Sequence, residues 1–376
     1  MRIRLALLLI MFLLPGVAFA VSSPRKPVPP RPKEPKDAIG DFAQHTRVGT
    51  GQRHRNLTVF PVLVSNVAVP NVDLTVDRAV ALGLVEISEL KQSDVNRIRI
   101  SSRAKSPVFA MAGEMLRGGK QDRIVADDLV LPPGVELTIP VFCVEHGRWA
   151  GGVGGAGRAG AAGFTTGHSV AGAEIRGAAG RGGGARGGGQ SGVWSKVAEQ
   201  QQRLHAPSST GALRSVHDSP EVRERTEPYI RALSDLADDN PKASGVVAMV
   251  GDQILVADLF SSPAVFRQVW HELLESYAID ALDRAEVVDH HKAHEGLKQP
   301  NATPVQEWLN GLGWAKRTPE ETPGAGKLYR LDGRDLVGTA LVWDGGVVHM
   351  ELFPSVSVKP MEINSLRFRR ERLRGG

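Results

Sequence analysis

The stretch AGEMLRGGKQDRIVADD, residues 112–128, sets basic side chains around two adjacent glycines and brackets them with carboxylates. Arg117, Lys120 and Arg123 are donors suited to phosphate or carboxylate oxygens. Gly118 and Gly119 allow positive φ and let an anion approach backbone N–H groups. Glu114 is of the type that moves protons, while Asp122, Asp127 and Asp128 could orient the arginines or hold a cation through oxygen. Gln121 adds a neutral donor and acceptor. The plain alternative is a polar turn whose solvated charges form surface pairs of little energetic weight.

A second polar cluster ends an apolar run at FCVEHGRW, residues 142–149, where Glu145, His146, Arg148 and Trp149 sit at a strand exit. Cys143 and His146 are three apart on an extended chain and face opposite ways, so the thiol reads as buried and inert rather than as a nucleophile beside its base. In DHHKAHE, residues 289–295, His290 and His294 share a helix face. The surrounding polar connection argues against a metal site, and WHELLE at 270–275 lacks the second histidine of a zinc protease. GVGGAG at 152–157 has dinucleotide-fold spacing, but dense glycine generates that spacing and no amphipathic helix follows it. No metal and no cofactor is assigned.

These residues need a scaffold, and 376 residues with 41% hydrophobic content suffice to build one. The first twenty residues, MRIRLALLLIMFLLPGVAFA, read as a cleaved export signal, their apolar run being too short to span a bilayer. The expected location is periplasmic or extracellular, and the single cysteine forbids an internal disulfide. The formal charge of +5 gathers in the termini: residues 366–376 hold five arginines against one acid, and residues 21–36 five bases against one acid. The body of the chain is net acidic, which excludes a nucleic-acid-binding core and leaves the tails to touch anionic envelope polymers or a membrane surface.

Residues 21–53 read as a proline/lysine-rich linker, residues 54–355 as the folded domain, and residues 356–376 as a basic tail. Within the domain, residues 56–149 are mainly strand. Thr75 is placed to cap a short helix, VEIS to form a strand, and Pro132-Pro133-Gly134 to turn between two more. Residues 151–192 hold 18 glycines in 42 positions, a composition expected of an insertion outside the core. Helices follow: one carrying Trp194, Val197, Ala198 and Leu204 on a face; one capped at Ser219-Pro220-Glu221 and ended or kinked by Pro228; one starting at Ser262-Pro263 with a stripe of Phe266, Val269, Leu273, Tyr277 and Ala281; and a short one capped by Thr303. Residues 245–260 and 338–353 align without gaps as strand, Gly/Asp turn, strand, acid, Leu-Phe, predicting two similar hairpins in one sheet. The fold class is α+β in one compact domain.

The run from residue 112 to 149, with QSGVWSKV at 190–197 and the segment 255–282, resembles the ADP-ribosylglycohydrolase and rhodanese-phosphatase superfamily associated protein domain, a bacterial family. The likeness spans about residues 56–355. It picks out Glu114, Arg117, Gly118, Gly119, Gln121, Asp122, Arg123, Cys143, Glu145, Gly147, Arg148, Trp149, Gln190 and Trp194. It implies an association with NAD and ADP-ribose metabolism and no assigned activity. The glycine-rich expansion and the export signal depart from the family pattern.

The resulting expectation is an exported protein binding an anionic small ligand, such as a nucleotide or ADP-ribose derivative. Arg117, Arg123 and Arg148 would clamp its oxygens, Gly118, Gly119, Gln121 and Asp122 would shape the loop, and Trp149 or Trp194 would stack on a ring. Glu114 or Glu145 would serve as acid or base. The competing expectation is a non-catalytic envelope module in which the same charges form an internal network.

Overall fold

The computed structural model describes residues 37–92, 94–147, 163–180, 189–285 and 300–355. The leader, residues 21–36 of the linker, the C-terminal tail, Arg148, Trp149, GVGGAG and the three histidines of DHHKAHE lie outside the described residues. The chain opens with α1 (Ala38–Gln44), β1 (Thr46–Val48), β2 (Gln52–His54), β3 (Leu57–Val64), β4 (Leu74–Thr75) and α2 (Val76–Ala81). Strands β5 (Val85–Ser88), β6 (Arg97–Ser102), β7 (Val108–Ala110), β8 (Glu114–Gly118), β9 (Arg123–Val125), β10 (Leu129–Leu131), β11 (Glu136–Cys143) and β12 (Gly163–Val170) follow. Then come α3 (Ala173–Gly180), α4 (Gly189–Arg203), α5 (Arg214–Asp218), α6 (Pro220–Leu233), α7 (Leu236–Asp239), β13 (Ala243–Val250), β14 (Gln253–Phe260), α8 (Pro263–Ala285) and α9 (Ala302–Asn310). The described chain ends with β15 (Lys316–Glu320), β16 (Lys327–Asp332), β17 (Leu336–Trp343) and β18 (Gly346–Pro354).

Six strands close into a barrel in the order β11-β6-β5-β12-β8-β9, with β9 pairing back onto β11. Alternation along these strands sends Ile87, Ile98, Ile100, Leu116, Val125, Ile139, Val141 and Phe164 into one apolar cluster. Met115 and Ile124 face the other way and pack with Ile175 of α3 and Val193 and Val197 of α4. Beside the barrel lies a three-stranded sheet, β10-β7-β4.

A nine-stranded sheet runs β1-β3-β13-β14-β18-β17-β16-β15, with β2 also on β3. Every residue of β13 is buried, because both faces of this sheet are covered. Val246, Ala248 and Val250 pack with Phe266, Leu273 and Tyr277 of α8. Val247 and Met249 pack with Phe42 of α1 and Val305 and Trp308 of α9. The two expected hairpins are β13–β14 and β17–β18, and they join through β14–β18, where Asp258 stands opposite Glu351. The chain is therefore α+β, with all described residues in one compact unit.

Several local expectations need correction. The folded part begins by Asp37, inside the expected linker, because Ile39 and Phe42 bury an apolar face and Asp37 caps α1. The glycine-rich tract is not all an insertion: it contains β12, α3 and the start of α4, with Val170, Ile175 and Arg176 buried. Pro132-Pro133-Gly134 does turn between β10 and β11 as expected, with Gly134 at φ +68°, and the two strands then pair apart, β10 with β7 and β11 with β6 and β9. Pro228 lies within α6, which continues to Leu233. Asn301, not Thr303, caps α9, accepting from the Thr303 N–H at 3.0 Å. Ala198 is exposed, because α4 buries Val193, Val197, Gln200 and Gln201 instead. The caps at Thr75 and Ser219 and the full apolar stripe of α8 stand as expected.

Candidate functional site

The GGKQDR and FCVE segments meet, because Arg123 of β9 is the cross-strand partner of Cys143 of β11. Gln121 Nε2 donates to the Glu145 carbonyl at 2.9 Å, and the Asp122 N–H donates to Glu145 Oε2 at 3.1 Å. Arg123 donates to Gln121 Oε1 at 3.3 Å, and Thr210 Oγ1 donates to Glu145 Oε1 at 2.9 Å. Arg214 reaches Asp122 at 3.2 Å and Glu145 at 3.6 Å. Gln190 grips Cys143 twice, accepting from its N–H at 2.9 Å and donating to its carbonyl at 2.7 Å. Trp194 sets its ring edge-on to His146, centroids 4.3 Å apart. The Cys143 thiol donates to the Glu145 carbonyl at 3.3 Å, and burial pushes its pKa up. This is an inert thiol.

The expected anion cradle has occupants already. Gly118 (φ +123°) donates its N–H to Asp122 Oδ1 at 3.1 Å, and the Lys120 N–H donates to Glu89 Oε1 at 2.8 Å. Gly119 (φ +52°) lies so close to the Phe164 ring that a Cβ would collide with it. Asp122 and Arg123 are wholly buried. Arg117 is different: its side chain is 24% exposed and pairs with Asp218 of α5 at 2.9 Å. Glu114 belongs elsewhere in the molecule.

A second network fills the junction of α3, α8 and the β14–β18 pair. Arg176 donates to Asp258 at 2.8 and 3.2 Å and to Glu351 at 2.6 Å. The Tyr277 hydroxyl also donates to Asp258, and His349 Nδ1 lies 2.8 Å from Asp128. Burial would raise the Asp258 pKa, but Arg176 and His349 hold it well below the carboxylate range. Burial would lower that of His349, but the Asp128 and Asp258 carboxylates push it up to about 10. These carboxylates favour the protonated imidazole, which stacks with its centroid 4.4 Å from that of the Phe260 ring.

Nearby, Asp280 of α8 caps α3 by accepting the Ala173 N–H at 2.7 Å. Burial pushes its pKa to about 7, with that N–H, Arg284 and Arg176 opposing and Asp283 assisting. The folded state therefore holds this proton more tightly than the unfolded chain. The stabilisation it gives is complete below about pH 4, the unfolded value, and is lost as pH rises through about 7. Asp280→Asn keeps the acceptor and removes the titration, so the decline of denaturant midpoint between these pH values should flatten. An unchanged slope would mean that Asp280 titrates normally.

The third cluster gathers Glu114. Asp77 at the first turn of α2, His168 on β12 and Glu272 on α8 each place one donor atom within 4.8 Å of the others. His168 Nδ1 lies 2.8 and 2.9 Å from the two Asp77 oxygens. His168 (φ +46°) rides a bulge in which Gly167, His168 and Ser169 stand between the paired positions Thr166 and Val170, a device that re-aims a side chain. Burial raises the Glu114 pKa well above the carboxylate range, reinforced by the Glu272 and Asp77 carboxylates and opposed by the Met111 and Asp77 N–H groups. Burial, then Asp77 and Glu275, push Glu272 to about 8.

The polar tract continues outward. Glu275, one turn along α8, lies 3.5 Å from His217 of α5, and the next residue, Asp218, holds both Arg117 and, at 3.0 Å, Arg223. Asp77, His168, Glu272 and Arg176 are absent from the sequence expectation. They are far apart in the chain and form no local motif; Asp258 and Glu351 alone left a trace, as equivalent acids of the two hairpins.

No helix among the described residues is long and apolar enough to cross a membrane. No curated protein and no solved structure matches the chain. The model of one family matches residues 45–353, a span that takes in the barrel, the nine-stranded sheet and all three networks: the chain belongs to the ARG and Rhodanese-Phosphatase-superfamily-associated Protein domain family.

Proposed function

We propose that this chain is an exported domain that binds an anionic small ligand, of the nucleotide or ADP-ribose class, along the tract from Arg117 to His168. The observation that carries the reading is the continuity of that tract. Arg117, Asp218, Arg223, His217, Glu275, Glu272, Asp77 and His168 come from six elements and follow one another by contact or by adjacency on a helix. Its basic end suits phosphate oxygens. Its acidic end contains Glu272, which burial and its neighbours keep protonated near neutral pH, the state needed to hand a proton to a leaving oxygen. Glu272 and Glu114 therefore replace Glu145 as the acid–base candidates, the Glu145 carboxylate being held by the Asp122 N–H, the Thr210 hydroxyl and Arg214. Export rests on the leader sequence, and the ligand class on the family's association with ARG proteins.

Thermal unfolding of the mature protein with ADP-ribose, NAD and nucleotides tests the reading. At a ligand concentration of 100 Kd the stabilisation is about 2.7 kcal/mol, and Arg117→Ala should reduce it. The second reading, a non-catalytic envelope module, is favoured by the internal satisfaction of the GGKQDR loop. It would prevail if no ligand shifted the transition, or if Arg117→Ala left every shift intact.

A further inference from the structure

The buried acids of this protein fall into two groups. Asp258 and Glu351 have Arg176, and Asp128 and Asp258 have His349. Glu114 and Glu272 have no such internal cation: among the described residues, no arginine or lysine forms an ion pair with either of them, and the side-chain charges that act on them are carboxylates, Glu272 and Asp77 on Glu114, and Asp77 and Glu275 on Glu272. Burying carboxylates against carboxylates is costly unless something positive joins them.

A specific atom marks where the missing charge belongs. Glu114 is 4% exposed, and its Oε1 is buried with no hydrogen-bond partner, while Oε2 accepts the Met111 N–H at 3.3 Å. Glu114 shares the β8 face of Leu116, which points into the barrel, and its carboxylate lies beside the Asp77 N–H. A buried acceptor left open, with Asp77 and Glu272 as its electrostatic neighbours, stands behind the three donor atoms that converge within 4.8 Å and calls for an occupant.

We propose that Asp77, Glu114, His168 and Glu272 form a binding site for one first-row divalent cation, Mn2+ or Zn2+. The donor set is three carboxylates and one imidazole. Carboxylate suits hard divalent ions, and imidazole shifts preference towards the first-row metals. Ca2+ takes oxygen ligands only, and the imidazole of His168 does not suit it. The His168 side chain is 68% exposed, so an ion enters from solvent past it, while the carboxylates form the inner wall. The site does not rest on the ligand reading above; a cation here would displace the protons of Glu114 and Glu272, so neither acid could serve as proton donor while the ion is bound.

The test is titration of the full-length, chelator-stripped chain with Mn2+ and with Zn2+, followed by calorimetry and by the Mn2+ electron paramagnetic resonance signal. Zn2+ titration is run in a His290→Ala, His291→Ala, His294→Ala background to remove a competing histidine run. One saturable ion per chain is expected. His168→Gly, which tolerates the left-handed backbone, and Glu272→Gln should each weaken binding at least roughly tenfold. Asp235→Asn, on the exposed α6–α7 turn, should leave it unchanged. Circular dichroism in chelator confirms the fold of each variant, and if Glu272→Gln fails to fold, His168→Gly alone decides. Absence of saturable binding by both metals would overturn the proposal, as would binding indifferent to His168→Gly. In that event Glu114 and Glu272 merely share protons.

Discussion

Arg176→Ala is expected to destabilise the folded chain by about 3–5 kcal/mol, enough to unfold it under mild conditions. The arginine is 1% exposed and stands between Asp258 and Glu351, themselves buried. Without it, two carboxylates that face each other across β14 and β18 lose their shared counter-charge. The pair of them, with Asp128 close by, would then be buried next to His349 alone. Breaking a buried ion pair by removing one partner costs far more than replacing the whole set by neutral groups. Arg176→Met combined with Asp258→Asn and Glu351→Gln should therefore be much less harmful than Arg176→Ala. Denaturant unfolding, with the midpoint compared at constant m, measures both. A loss below about 1 kcal/mol for Arg176→Ala, the range of exposed pairs, would show that the network is not an electrostatic one.

Gly338→Ala should be the most damaging of the single-methyl additions to the sheet, with Gly245→Ala close behind. The two glycines hold the same place in the two hairpins. A Cβ at Gly245 would meet the Asp258 carbonyl oxygen at 2.6 Å, and one at Gly338 would overlap that of Glu351. Both obstacles are backbone, so the strand itself must move. Overpacking of this kind costs about 1–3 kcal/mol, occasionally more, and here it also displaces the two acids that Arg176 holds. Gly180→Ala, where nothing lies within 4 Å of the added carbon, is the control and should be nearly neutral. Equal midpoints for Gly338→Ala and Gly180→Ala would mean that β17 and β18 adjust freely.

The elements legible in the sequence are those specified locally. A Gly-Asp or Asp-Gly turn between apolar runs is complete within its own residues, and both hairpins formed where expected. The caps of α2 and α6 and the stripe of α8 were equally local. The barrel was not legible, because its closure depends on β9 finding β11 and β5 finding β12, with long stretches of chain between β5 and β12. Composition misled at residues 151–192: glycine content averaged over the tract concealed a strand and a helix that supply His168 and Arg176. At WHELLE, comparison with a zinc-protease spacing passed over Glu272, whose partners come from α2 and β12. The meeting of GGKQDR with FCVE was readable as two polar strand ends. That the Gly118–Lys120 backbone would be satisfied by Asp122 and Glu89 was not, since Glu89 reaches it from beyond β5.

The pairing of the two hairpins carries a further consequence. Asp258 and Glu351 are equivalent residues, and they are also each other's partner; Ala257 faces Leu352 just as Met350 faces Leu259. The register thus has a local two-fold axis passing between the acids. Were the hairpins contributed by two identical chains, the contact would be isologous, and whatever one chain supplied to the axis the other would supply as well. Two arginines would then compete for the space that Arg176 fills alone. A solitary arginine serving both acids is open only to a single polypeptide that carries both halves, and it makes the two halves permanently unlike, with His349 in one where Val256 stands in the other.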